Sequence, residues 1–177
     1  EMALVTGRDR FAGVLQGVTT QLTAPDGFGW ACLTSVLTRQ MWAYTGFIHG
    51  PIEVPLGWPT VEAYLDGFRG RIATNLCAQV PHCAVRLKVM GWEARPATDA
   101  EVRAMADLVR QWMDAGAVGR CLGLDYQPSA NADMRELVAL GKAVSARKGV
   151  FAAHLRYHTL GRKGAWEEAL QVARRAG

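Results

Sequence analysis

Residues 98–124, TDAEVRAMADLVRQWMDAGAVGRCLGL, pass from a capped helix through a glycine stop into a strand, and that passage sets the pattern of the chain. Thr98-x-x-Glu101 is a capping box, in which hydroxyl and carboxylate each satisfy a free backbone N–H at the helix start. Val102, Met105, Val109 and Trp112 recur at helical spacing and form one apolar stripe, and Gly116 ends the helix. The run over residues 117–124 then reads as a strand.

The same alternation extends both ways. Upstream, residues 18–23 (VTTQLT) are a β-branched strand closed by the turn Ala24-Pro25-Asp26-Gly27. Residues 31–44 read as helical, and residues 46–57, rich in glycine and proline, as a surface loop carrying a solvent-exposed His49. Pro59 suits a first helical position; Val61, Tyr64, Leu65 and Phe68 form the stripe that follows, and Gly70 stops it. Residues 72–80 are the second strand.

Downstream, Ser129 or Asn131 is expected to cap a helix striped by Met134, Leu137, Val138 and Val144 and stopped by Gly149. Residues 150–155 form the fourth strand. Trp166, Ala169, Leu170 and Ala173 mark a last helix with Arg174 and Arg175 in its final turn, where cations suit the helix dipole. Strands alternating with helices predict an α/β fold with a parallel sheet, either doubly wound or part of a (β/α)8 barrel. No G-x-G-x-x-G joins a strand to a helix, which disfavours a nucleotide binder.

Composition narrows the function classes. The 177 residues are half apolar, enough for a single domain over 1–177. The net charge of +4 is spread without a run of five like charges, which argues against nucleic acid as a partner. No apolar stretch approaches the roughly 18–20 residues of a membrane span, so no membrane partner is expected. The start lacks the pattern of a secretory signal, and Cys32, Cys77, Cys83 and Cys121 form no C-x-x-C pair. Small core cysteines in a reducing, cytoplasmic compartment are the expectation. His154 closes the fourth strand, at the end where repeating (β/α) proteins assemble their chemistry.

Three segments carry a family likeness: residues 11–31 (FAGVLQGVTTQLTAPDGFGWA), 91–133 (GWEARPATDAEVRAMADLVRQWMDAGAVGRCLGLDYQPSANAD) and 149–157 (GVFAAHLRY). Together they resemble the N-acyl-D-amino-acid deacylases (D-aminoacylases) of the amidohydrolase superfamily, from about Phe11 to Gly177. The resemblance implies a partial (β/α) TIM-like barrel of the amidohydrolase type, with about four parallel strands and flanking helices. It also implies a hydrolase that cleaves the amide bond of N-acyl-D-amino acids using zinc, as one or two divalent ions.

On the same resemblance His154 is a zinc ligand, a role that suits a neutral imidazole. Asp26 occupies the position of the cysteine in the family's G-N-C-G turn, so a harder oxygen donor replaces sulfur there. Asp-Gly is also ordinary turn chemistry. The implied substrate carries a free carboxylate, which Arg156 could meet with its guanidinium fork. In an extended strand Arg156 would share a face with His154, although an ion pair with Asp125 or another acid is the alternative. Tyr126 could donate its hydroxyl to substrate or pack under its loop. His82, where the family often has V-G-H, could face substrate or bond the loop backbone; the role of His158 stays open.

The family's paired H-x-H is expected before Glu1, another metal histidine after Gly177, and the catalytic aspartate later still. The chain is thus expected to be an internal fragment with no catalytic residue of its own, inactive by itself. The alternative is a non-catalytic (β/α) domain binding a ligand or partner, its open edges paired in a homo-oligomer.

Overall fold

A computed structural model describes residues 11–50 and 57–177. Its strands are β1 (Thr20–Leu22), β2 (Asn75–Cys77), β3 (Gln79–Pro81), β4 (Gly119–Gly123) and β5 (Val150–His154). Every pairing is parallel: β1 with β2, β3 with β4, and β4 with β5. The second strand expected over 72–80 is divided at Ala78, where its partner changes from β1 to β4. The break is stitched by Thr23 N–H donating to the Cys77 carbonyl (3.0 Å) and Val118 N–H donating to that of Ala78 (2.8 Å). The Thr23 hydroxyl takes up the Gln79 N–H at 3.2 Å. Four strand positions therefore succeed one another in chain order, all pointing the same way.

The helices are α1 (Ala12–Leu15), α2 (Ser35–His49), α3 (Val61–Asp66), α4 (His82–Met90), α5 (Asp99–Asp114), α6 (Met134–Ser145) and α7 (Tyr157–Ala176). α5 follows its sequence signature closely. The Thr98/Glu101 capping box is formed in both directions, and Val102, Met105, Val109 and Trp112 are all buried. Burying each such side chain contributes roughly 1.5–3 kcal/mol, so the stripe alone anchors α5 to the sheet. Tyr64 and Phe68 of the α3 region meet edge to face, and Tyr64 also meets Trp112, which ties that stripe into the same core.

Four expectations about the helices are corrected. α2 runs on through residues 46–49, so the start of the expected loop is helical; residues 51–56 of that loop lie outside the described residues. His49 is accordingly not a free loop residue: its ring packs against Trp30 and Trp42, and its Nε2 lies 2.9 Å from the Thr45 hydroxyl. Asp133, not Ser129 or Asn131, caps α6 by accepting the Glu136 N–H at 2.9 Å. Ser129–Asn131 instead close a separate 3-10 turn. α7 buries Ala165 and Val172, seven residues apart, while Trp166 and Leu170 are about half exposed. The predicted stripe lies about 100° round the helix from the packed line, because one residue advances the helix by that angle. No helix of the described residues is long and apolar enough to cross a membrane.

Candidate functional site

The C-terminal ends of the parallel strands deliver Asp26, Asp125, Tyr126 and His154 to one mouth. After β1 the chain folds into a 3-10 turn, Pro25–Gly27, with Asp26 at φ 53° and Gly27 at φ 72°. Asp is among the few side chains that tolerate the left-handed region, and glycine enters it freely. The turn lies directly on β4: a Cβ on Gly123 would collide with the Asp26 carbonyl oxygen. Absence of a side chain at Gly123 is what lets Asp26 reach across to β5, where Gly123 and His154 are register partners.

There, His154 Nδ1 stands 3.2 Å from Asp26 Oδ1, and His154 Nε2 stands 3.5 Å from Asp125 Oδ2. The imidazole is thus flanked by one carboxylate on each nitrogen. Asp125 is held firmly, because it accepts the backbone N–H groups of Tyr157 (3.1 Å) and His158 (3.2 Å) at the start of α7. Its side chain is only 2% exposed, against 29% for His154 and 41% for Asp26. Tyr126 packs its ring 4.8 Å from that of His154 and 5.2 Å from that of Phe28. Burial, together with the charges of Asp26 and Asp125, raises the Tyr126 pKa, so its hydroxyl remains a donor at neutral pH.

The His154–Asp26 pair can be tested against zinc geometry. Nitrogen and oxygen donors each about 2.0–2.1 Å from a tetrahedral ion stand about 3.3 Å from one another. The 3.2 Å separation of Nδ1 and Oδ1 is compatible with that edge, as it is with a direct ion pair between the two side chains. Among the described residues no three His, Cys, Asp or Glu side chains gather as a metal-binding group. Asp125 does not complete one, because it faces the other ring nitrogen. The described residues therefore fit part of a zinc shell.

Arg156 and His82 are committed elsewhere. Arg156 lies beyond the end of β5, at the N-terminal boundary of α7, so strand alternation no longer aims it with His154. Its guanidinium pairs with Glu168 at 3.2 Å and donates to the carbonyls of Ala130 and Ala132. Each of its three nitrogens thus holds a protein acceptor, and the nearly buried guanidinium is turned to the protein. His82 begins α4 and is fully buried, with Nε2 2.8 Å from Glu136 Oε1 and Nδ1 3.0 Å from the Ser129 hydroxyl. Both nitrogens are saturated inside the protein, so the ring faces neither substrate nor the loop backbone.

Burial lowers the His82 pKa in spite of Glu136, leaving a neutral imidazole that donates from Nε2 and accepts from Ser129. Burial opposes ionisation of Glu136, but the hydrogen bonds from His82 and Arg86, with the Arg86 charge, outweigh it and hold its carboxyl below the usual range. Arg86 closes this cluster by donating to Glu136 Oε2 and, at 2.9 Å, to the Arg95 carbonyl. His158 is 89% exposed, with Nε2 3.9 Å from Asp125.

Two carboxylates carry more of this arrangement than their sequence context suggests. Asp125 was visible only as a possible partner of Arg156, although its place just past a strand end next to Tyr126 marks it as a residue of the mouth. Glu136 sits among the α6 stripe positions, and nothing local signals that it is buried. Two cavities, of about 530 Å³ beside Cys32, Glu62 and Lys88 and about 190 Å³ beside Arg120 and Phe151, lie away from the mouth.

No protein-family model matches the chain. Individual proteins do. The D-aminoacylase of Alcaligenes xylosoxydans xylosoxydans is 30% identical over 181 residues, which takes in 97% of this chain and 34% of that protein. A crystal structure of D-aminoacylase, described as defining a novel subset of amidohydrolases, superposes on 98% of this chain and 36% of its own, with a TM-score of 0.77 and 26% identity. The N-acyl-D-glutamate deacylase of Bordetella bronchiseptica, solved with zinc and a phosphonate mimic of the tetrahedral intermediate, covers 93% of this chain and 34% of its own (TM-score 0.76, 29% identity). The fold is therefore that of an amidohydrolase segment. Within that class the chain belongs to the N-acyl-D-amino-acid deacylase family, and it spans about a third of the length of the relatives it matches.

Proposed function

We propose that this chain forms part of the active-site mouth of a metal-dependent hydrolase that cleaves the amide bond of N-acyl-D-amino acids, within a partial (β/α) barrel. The observation that carries the reading is the His154–Asp26 pair, set at the donor spacing of a tetrahedral zinc shell on adjoining strand ends. The zinc that such relatives hold would supply Lewis acidity toward the amide carbonyl and a water acidic enough to ionise near neutral pH. His154 and Asp26 are the residues that would hold it. Tyr126 presents a protonated hydroxyl beside them and is the candidate donor to the bound small-molecule substrate. Phe28 and Tyr126 form an apolar wall, which helps to exclude water from the face of His154.

A catalytic zinc site takes three protein ligands, and the described residues supply two. Further donors must come from elsewhere in a longer protein, so the 177-residue chain alone is expected to be inactive. The test is metal content and hydrolysis of N-acetyl-D-amino acids in the full-length protein, with and without His154→Ala. Joint loss of metal and turnover is the expected result. Full metal loading with unchanged turnover in the variant would remove His154 from the site and sink this reading of it, whereas no hydrolysis by the unsubstituted full-length protein would leave a non-catalytic binding domain as the better reading.

A further inference from the structure

We propose that Asp125 is a positioning residue for His154: it fixes the imidazole from the Nε2 side so that Nδ1 is presented, lone pair outward, beside Asp26. This rests on the zinc-ligand reading of His154. A histidine that binds a metal through one nitrogen usually gives its other N–H to a carboxylate or carbonyl, which sets the tautomer and the ring orientation. Asp125 meets the requirements of that partner. Its Oδ2 stands 3.5 Å from His154 Nε2, the nitrogen turned away from Asp26.

The carboxylate is itself immobilised by the Tyr157 and His158 N–H groups, and its side chain is almost sealed from water. With a cation held between Nδ1 and Asp26, a negative group so placed favours the tautomer with the proton on Nε2, whereas in the metal-free site Asp26, at 3.2 Å, competes for that proton from the Nδ1 side. That tautomer leaves Nδ1 as an acceptor, the form a metal donor needs. The ring is braced from its face as well, by Tyr126 at 4.8 Å and Tyr157 at 6.3 Å between centroids. Asp125 thus links the start of α7 to the tautomer of a ligand on β5, although it need not touch the metal.

The experiment is Co2+ titration of the metal-free full-length protein, read by visible absorption and by competition with a chelator. Four forms are compared: wild type, Asp125→Asn, Glu168→Gln and His154→Ala. Asp125→Asn keeps the size but removes the charge that selects the tautomer, and should weaken Co2+ binding about 10–100-fold with a changed spectrum. Glu168→Gln disturbs α7 through its ion pair with Arg156 without touching His154, and should bind Co2+ as wild type does.

Wild-type affinity and spectrum in Asp125→Asn would overturn the positioning role. So would an equal loss in Glu168→Gln, since the effect would then come from α7 packing. Either result, obtained while His154→Ala still loses the metal, leaves the function proposed above standing. If His154→Ala binds Co2+ like wild type, that function fails and the role of Asp125 falls with it.

Discussion

Two histidine–carboxylate clusters in this chain use the same chemistry to opposite ends. Around His82 the ring and the carboxylate are saturated: Ser129 and Glu136 take both ring nitrogens, Arg86 takes the second carboxylate oxygen, and water has no access, although Arg86 Nε is buried without a hydrogen-bond partner. Around His154 the ring is held from one side by Asp125, while Nδ1 and Asp26 remain partly exposed side by side. A saturated, sealed cluster can only hold the fold together; a cluster whose facing nitrogen and carboxylate are partly exposed at a strand mouth can take a ligand between them. The same residue types at the same end of a parallel sheet are therefore no guide to role until their partners are counted.

The sharpest way to break this contrast is Glu136→Gln. It leaves Arg86 buried without its counter-charge, and losing one partner of a buried pair costs about 3–5 kcal/mol. The melting temperature of the full-length protein should drop by roughly 3–5 °C, at about 1 °C per kcal/mol for a chain some three times this length. Metal content per folded molecule should not change. Loss of metal from a still-folded variant would show that the two clusters are coupled.

Gly123→Ala attacks the other cluster through its backbone. The added Cβ collides with the Asp26 carbonyl, so the turn must lift off β4. Overpacking of this kind costs about 1–3 kcal/mol, and Asp26 should leave His154 with it. Metal affinity measured by chelator competition should fall roughly 5–100-fold, and a variant with native affinity would mean that Asp26 is not a donor.

Acid should weaken the closed cluster in a defined window. The folded His82 pKa lies below its ordinary 6.5, so the unfolded chain binds the extra proton first as pH falls. The stability from His82 is complete above pH 6.5 and is lost below it, down to the folded pKa, at up to about 1.4 kcal/mol per pH unit. Glu136 adds a loss at lower pH, since its folded pKa lies below the ordinary 4.5. Thermal melts between pH 7 and 5 should show the decline, and His82→Asn should flatten it.

The smallest effect expected is from Asp26→Cys. Sulfur is the softer donor, so the variant should shift preference toward zinc over manganese by about tenfold in competition binding, with little change in stability. Unaltered selectivity would argue that the turn residue does not reach the metal.

How much of this was legible in the sequence differs from element to element. α5 could be read outright, because a capping box, a single apolar stripe and a glycine stop agree on one answer. α7 could not: its Trp166 and Leu170 obey helical spacing, but the line that packs is chosen by α6 and by small side chains at Ala165 and Val172. His154 was legible from its place at a strand end. For Arg156 the sequence leaves a substrate contact and an ion pair with a nearby acid both open; alternation stops where the strand stops, and the next turn carries the side chain to the acid Glu168.

Local sequence thus determined the order of strands and helices and their parallel sense, since periodicity, capping and strand-end position depend on near neighbours alone; the two metal-donor candidates are what the family resemblance implies. The family likeness rests on the same local words. Tertiary structure decided which of the histidines was spent. Ser129 and Glu136 lie 47 and 54 residues from His82, and Asp26 lies more than a hundred from His154, so only the packing of distant strand ends could saturate one ring and leave the other open.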